Sequence, residues 1–231
     1  MSFFIGVELG QVSDVTAISV VQSQTLKVLR TEEARSRRWV DVHPVYQAPD
    51  GTETRVHPPV TFALRHLDRI PAGMSYSEIA RKVESLHSQL ETPAVILDAT
   101  GVGKAAVELF RRSDFNLSIL TLMAGDQMVQ DGKSYRVPKR DVISTTQVQL
   151  QEGRLKIART LPHASLLARE LVNFRVRVAS KGSEDALDWR EGPHDDLVFA
   201  LAIAAWEAER NPGLGFSFGY GVSEFHGFKG F

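Results

Sequence analysis

Hydrophobic positions in this chain fall into short runs of period two, or of no period, separated by stretches of helical period. That alternation predicts an α/β fold, a mixed central β-sheet flanked by helices. Phe3-Phe4-Ile5-Gly6-Val7-Glu8-Leu9-Gly10 reads as a buried strand that leaves the core through an acid and a glycine turn. A second strand follows from Asp14 through Thr16 to Val21 and a third from Leu26 to Thr31, at the spacing of an antiparallel meander. Between about 35 and 60 the pattern dissolves into Arg, His, Pro and an Asp50-Gly51 turn signal, an excursion from the core. Thr61 to Leu67 alternates as an outer strand would. Ser75 and Glu78 form a capping-box pattern ahead of a helix with Ile79, Val83, Leu86 and Leu90 on its apolar face.

Ala94-Val95-Ile96-Leu97-Asp98 is another strand ending in an acid, followed by a turn, a helix to about Arg112 and a further strand from Leu117 to Met123. Pro138 suits a helix start, and Val142, Thr145, Val148 and Leu150 support a helix closing at Gly153. Leu155 to Ile157 reads as a short strand and Ala164 to Asn173 as a helix, and Phe174 to Val178 with Lys181-Gly182-Ser183 as a hairpin returning toward Trp189. The last element begins near Gly192, where Pro193, His194, Asp195 and Asp196 run straight into Leu197 to Trp206. A helix apolar on nearly every face belongs in the interior. After Arg210 periodicity ends, so the reading is one domain over 1–210 with a mobile tail over 211–231.

Composition narrows the classes. A net charge of −1 gives no gross basic excess, so any nucleic-acid surface must be a local patch. One patch lies between Asp131 and Arg159, where seven basic residues, including Lys133, Arg136, Lys139 and Arg140, face three acids. Such a cluster suits phosphate backbone, and equally an ordinary solvated helix face. The absence of cysteine excludes disulfides and thiolate chemistry, and no apolar run approaches the ~18 residues of a membrane span, so no membrane partner is expected. Gly101-Val102-Gly103-Lys104 invites comparison with a phosphate-binding loop, but Asp98 stands where its first glycine belongs and Ala105 where Ser or Thr should follow the lysine.

Three acidic points end buried elements: Glu8, Asp98 and the Asp195-Asp196 pair. The pair alone could be plain helix capping, and Asp14 a turn aspartate. Brought together at one sheet edge, however, such carboxylates repel by ~4 kcal/mol per close pair at an effective dielectric near 20, and need a compensating cation. Oxygen ligands without His or Cys at zinc spacing favour Mg²⁺ or Mn²⁺, one or two ions, the setting for phosphodiester hydrolysis.

Gly6-Val7-Glu8-Leu9-Gly10 with Asp14-Val15-Thr16-Ala17, then Ile96-Leu97-Asp98-Ala99-Thr100-Gly101-Val102-Gly103, Val137-Pro138-Lys139-Arg140-Asp141 and Gly192-Pro193-His194-Asp195-Asp196-Leu197 together resemble the nuclease domain of tailed-bacteriophage terminase large subunits. The resemblance spans roughly Phe3 to Arg210. It implies an RNase H-like fold and a metal-dependent endonuclease that cuts concatemeric double-stranded DNA during genome packaging in the bacterial host cytoplasm. By position, Glu8, Asp98, Asp195 and Asp196 are the implied metal ligands and catalytic residues. Asp14 and His194 stand behind them, and Lys133, Arg136, Lys139, Arg140 and Lys181 are the implied DNA contacts. The implied partners beyond DNA are the packaging ATPase domain, the small terminase subunit and the portal. Glu8 departs from the family's aspartate, which leaves a weakened or inactive DNA-docking module as the alternative. With no packaging ATPase motif, the chain reads as the isolated nuclease portion. A sugar-kinase or actin-type nucleotide fold also begins with an acid and a glycine, but needs a second glycine-rich turn and about twice the length.

Overall fold

The structure, a computed structural model, describes residues 2–10, 14–25, 45–47, 53–55, 60–102, 104–174 and 195–211. The expected third strand over Leu26 to Thr31, the hairpin around Lys181, His194 and the tail past Asn211 lie outside the described residues.

Eight strands form one mixed sheet. In chain order they are β1 (Ser2–Glu8), β2 (Thr16–Thr25), β5 (Val60–Ile70), β6 (Ala94–Asp98), β7 (Asn116–Met123), β8 (Val129–Asp131), β9 (Ser134–Pro138) and β10 (Leu155–Ile157), while β3 (Val45–Gln47) and β4 (Glu53–Arg55) pair separately. The order across the sheet is β10-β5-β2-β1-β6-β7-β9-β8. β1, β2 and β5 make the antiparallel meander, and β1, β6, β7 and β9 run parallel. β5 is not an outer strand, because β10 pairs with it in parallel through Leu155 and Phe62.

Helices cover both faces. On one, α1 (Tyr76–His87) buries Ile79, Ala80, Val83 and Leu86, and α2 (Lys104–Arg111) buries Ala106 and Phe110. Both capping-box bonds of Ser75 and Glu78 are present, so this helix starts where its local sequence directs. On the other face lie α3 (Lys139–Gln151), α4 (Ala164–Asn173) and α5 (Asp196–Arg210). α3 presents Val142, Ile143, Thr146 and Gln149 to the core, whereas Val148 is 42% exposed. Helical spacing from Val142 selects two polar residues there, and Gln149 Nε2 donates to the Ala205 carbonyl and the Glu209 carboxylate. α5 starts at Asp196, later than Pro193 suggests, and twelve of its residues are buried, as an all-round apolar helix must be. Among the described residues no helix is long and apolar enough to cross a membrane.

α5 lies against β1 and β2 and runs opposite to β1. Ala200 sits over Gly6, Ser19 Oγ donates to the Ala200 carbonyl at 2.7 Å, and Glu209 at the far end meets Arg154 beside Phe62. Near that far end Glu207 is 5% exposed, and burial, opposed mainly by Arg210, holds its carboxyl above the usual 4.5. The folded protein therefore keeps this proton more tightly than the unfolded chain. The stability involved is fully present below the unfolded value and declines as pH rises through the folded one. Glu207→Gln is expected to melt near wild type at pH 4 and above it at pH 8, by roughly 2–4 °C per kcal/mol relieved, in paired thermal melts.

Candidate functional site

The parallel register of β1 and β6 places Glu8 directly beside Asp98 at the C-terminal ends of both strands. Residues paired across a sheet share a face, and on β1 Phe4, Gly6 and Glu8 alternate toward α5. Both carboxylates therefore belong to the face that α5 covers, at the end where α5 begins with Asp195 and Asp196.

Asp98 is 2% exposed and tightly held. Its Oδ1 accepts from the Thr100 N–H at 2.8 Å and from the Thr100 hydroxyl, whose oxygen accepts in turn from the Leu122 N–H at 2.7 Å. Oδ2 is buried with no hydrogen-bond partner among the described residues. A buried carboxylate oxygen in that condition suits a hard cation, and the oxygen-only donor set beside it fits a divalent one.

The same row of the sheet continues away from Asp98. Glu8 pairs with Ala17 of β2, and Ala17 with Arg69 of β5, which sets Arg69 on the same face two strands from Glu8, roughly 10 Å by strand spacing. Glu170 of α4, 7% exposed, completes this corner. Burial first of all, with Asp196 adding to it, pushes the Glu170 carboxyl up to about 7 against the opposing pull of the Val198 and Leu197 amides and Arg69. Sequence reasoning missed both residues. Arg69 carries no local signal, whereas Glu170 does: it stands three residues after Leu167 on the buried stripe of its helix, where a carboxylate must meet a partner.

The acids do not close into a cage. Among the described residues no three His, Cys, Asp or Glu groups stand close enough to hold one ion, so the strand tips and the helix acids form two halves of one corner. Asp14 is exposed, in the turn that packs Gly10 against the Asp14 and Val15 carbonyls.

The basic residues separate. Lys139, at the start of α3, places Nζ 4.2 Å from the centre of the Phe199 ring, over the first turn of α5. Arg140 follows it, paired with Asp126 at 3.0 Å. Arg136 alternates with the core residues Tyr135 and Val137 and so opens on the opposite face of the sheet. Lys133 donates to Asn116 at 2.7 Å and borders a concavity of about 460 Å³ with Arg111 and Ser113, away from the acids. Of these four, Lys139 and its neighbour Arg140 lie on the side of the acidic corner. A Gly132-Lys133 turn, with Gly132 at φ 56°, forms the β8–β9 hairpin in this region, where the sequence reading has no strands.

No family model and no curated protein sequence matches the chain. Solved structures do. The cobalt-bound large terminase nuclease from thermophilic phage G20c is 20% identical over 88% of this chain and 80% of that one, with a TM-score of 0.54. Its magnesium-bound structure is 19% identical over 88% and 80%, with a TM-score of 0.50. The zinc-bound structure is 20% identical over 88% and 79%, also with a TM-score of 0.50. At these identities the likeness is one of fold, and the chain has the RNase H-like α/β fold that those terminase nuclease structures share.

Proposed function

We propose that this chain is a divalent-metal-dependent DNA endonuclease of the viral genome-packaging type. The observation that carries the reading is the in-register pair Glu8 and Asp98 at the tips of adjacent parallel strands, beneath the acidic start of α5. Glu8, Asp98 and the Asp195-Asp196 pair would hold one or two Mg²⁺ or Mn²⁺ ions. The phage G20c nuclease structures, which share this fold, were solved with magnesium, cobalt or zinc bound. A bound divalent ion supplies a Lewis acid and lowers the pKa of its water, which is what phosphodiester hydrolysis requires. The protein's own part is to hold the carboxylates and to bring the duplex against them. The surface beside Lys139 and Arg140 faces the DNA.

A second reading is favoured by one observation: no three acids among the described residues are poised around one point. In that reading the chain docks DNA without cutting it, and the longer Glu8 has spoiled the site. Supercoiled plasmid incubated with Mn²⁺, Mg²⁺ or EDTA separates the two. Nicking and linearisation with metal, abolished by EDTA and increased in Glu8→Asp, is the result expected of a detuned nuclease. DNA binding without cleavage under any metal hands the chain to the docking reading.

Replacing both Lys139 and Arg140 by alanine is expected to weaken duplex binding and to lower the slope of log K against log salt by about two, since each lost phosphate contact removes ~0.9. An unchanged slope in fluorescence anisotropy titrations would remove these residues from the interface.

A further inference from the structure

We propose that Thr100 is a positioning residue that holds Oδ1 of Asp98, leaves Oδ2 as the one oxygen offered to a cation, and thereby makes the site favour Mn²⁺ or Mg²⁺ over Ca²⁺. The selectivity rests on the nuclease reading, whereas the hydrogen bonds that produce it belong to the fold and can be measured separately.

The hold begins in the sheet. β6 and β7 run parallel with Asp98 beside Leu120, and the Ala99 N–H continues their ladder by donating to the Leu120 carbonyl at 2.7 Å. In a regular parallel ladder the Ala99 carbonyl would next accept from the Leu122 N–H. The chain turns away first: Gly101 takes φ 71°, and the Ala99 carbonyl accepts from the Val102 N–H at 3.2 Å. The Thr100 hydroxyl oxygen stands in its place and accepts from the Leu122 N–H at 2.7 Å. An amide N–H can only donate, so the one proton of the hydroxyl is left for another acceptor, and that acceptor is Oδ1 of Asp98. The Thr100 N–H reaches the same oxygen at 2.8 Å.

Each oxygen of a carboxylate has about two lone-pair sites, and both on Oδ1 are thus filled. Oδ2 is buried with no hydrogen-bond partner among the described residues. Asp98 therefore offers a cation a single oxygen unless the hydroxyl bond breaks. Mg²⁺ demands near-ideal octahedral geometry, and Mn²⁺ accepts the same set of oxygens, whereas Ca²⁺ takes up to eight ligands and often draws both oxygens of one carboxylate. Pinning Oδ1 withholds from Ca²⁺ a ligand that the smaller ions do not require.

Two variants isolate the hydroxyl. Thr100→Val keeps the shape and the backbone N–H but removes it, and Thr100→Ser retains it. Amide hydrogen exchange of Leu122 is measured without metal, and thermal melts are titrated with Mn²⁺ and with Ca²⁺, each shift giving an affinity with no cleavage required.

The expected result for Thr100→Val is faster Leu122 exchange and a Mn²⁺ dissociation constant raised about tenfold, within the range for groups that orient metal ligands. Its Ca²⁺ constant should rise less or fall, so the preference for Mn²⁺ narrows, whereas a general loss of packing would weaken both ions alike. Thr100→Ser should keep the wild-type preference. Wild-type Leu122 exchange in the Val variant, an unchanged preference there, or a wild type that binds Ca²⁺ as tightly as Mn²⁺ overturns the proposal. Should the Val variant not fold, a wild-type crystal soaked in Mn²⁺ decides: an ion on Oδ2 alone supports the proposal, and an ion held by both Asp98 oxygens overturns it. A wild type whose melt moves with neither ion refutes the nuclease reading and the selectivity with it, and Leu122 exchange alone then shows whether Thr100 fastens Asp98 to β7.

Discussion

Gly6→Ala is expected to lower the stability of the whole domain by ~3 kcal/mol or more, at the upper end of what one inserted methyl costs in a packed core. A Cβ at this position would stand 2.2 Å from the Ala200 carbonyl oxygen and 3.0 Å from both Ala204 Cβ and Ile203 Cγ1. The atom in the way is backbone, in the middle of a buried helix, and cannot swing aside like the end of a side chain. α5 must move, and with it the Ser19 hydrogen bond to the same carbonyl. At roughly 2–4 °C per kcal/mol for a domain of this size, the melting temperature should fall by about 6–12 °C. Trimming Ile203 or Ala204 in the Gly6→Ala background should not restore it, because neither trim frees the Ala200 oxygen. Gly125→Ala is the control: there the added methyl meets only the Met123 side chain, at 3.5 Å, and the melt should stay within about 2 °C of wild type. A Gly6→Ala protein that melts with the control would mean that α5 does not press on β1 as described.

That contact also shows what could be read in advance. The strand around Gly6, the strand ending at Asp98 and the apolar helix after Asp196 were each legible because the signals are local: short apolar runs, an acid at the exit, a capping pair at Ser75 and Glu78. Their convergence was legible because parallel neighbours leave a sheet at the same end. What local pattern does not contain is pairing at a distance. β10 covers β5 across about ninety residues of chain, so a strand that alternates like an outer one lies second from the edge. The inward face of α3 is not legible from apolar identity, since Thr146 and Gln149 occupy inward positions and the Gln149 amide finds its acceptors on α5. Glu170 and Arg69 were overlooked for the same reason. Each looks like an ordinary charged residue of its own element, and what makes them part of the corner is the packing of α4 and β5 around the start of α5.

Asp98→Asn should separate stability from activity, moving them in opposite directions. The Thr100 N–H and hydroxyl, the latter held in turn by the Leu122 N–H, fix one oxygen of this carboxylate, and the amide oxygen of asparagine can accept the same two hydrogen bonds. The buried second oxygen, which has no hydrogen-bond partner among the described residues, becomes an NH₂ group beside Glu8. Two carboxylates about 5 Å apart repel by ~3 kcal/mol at an effective dielectric near 20, so removing one charge should raise the melting temperature in EDTA. Metal reverses the comparison. Divalent ion binding only the folded state stabilises wild type by RT ln(1 + [M]/Kd), about 2.7 kcal/mol at a hundredfold excess over Kd, and the variant should lose most of that increment. Cleavage should fall at least about 100-fold, since a displaced Lewis acid forfeits several kcal/mol of transition-state stabilisation, while duplex binding through the Lys139 side persists. The two melts, with EDTA and with Mn²⁺, distinguish the ways this can fail. A variant that still gains stability from Mn²⁺ as wild type does would place the ion away from Asp98. A wild type that gains none would leave the two acidic halves of the corner as a docking surface that never closes on metal.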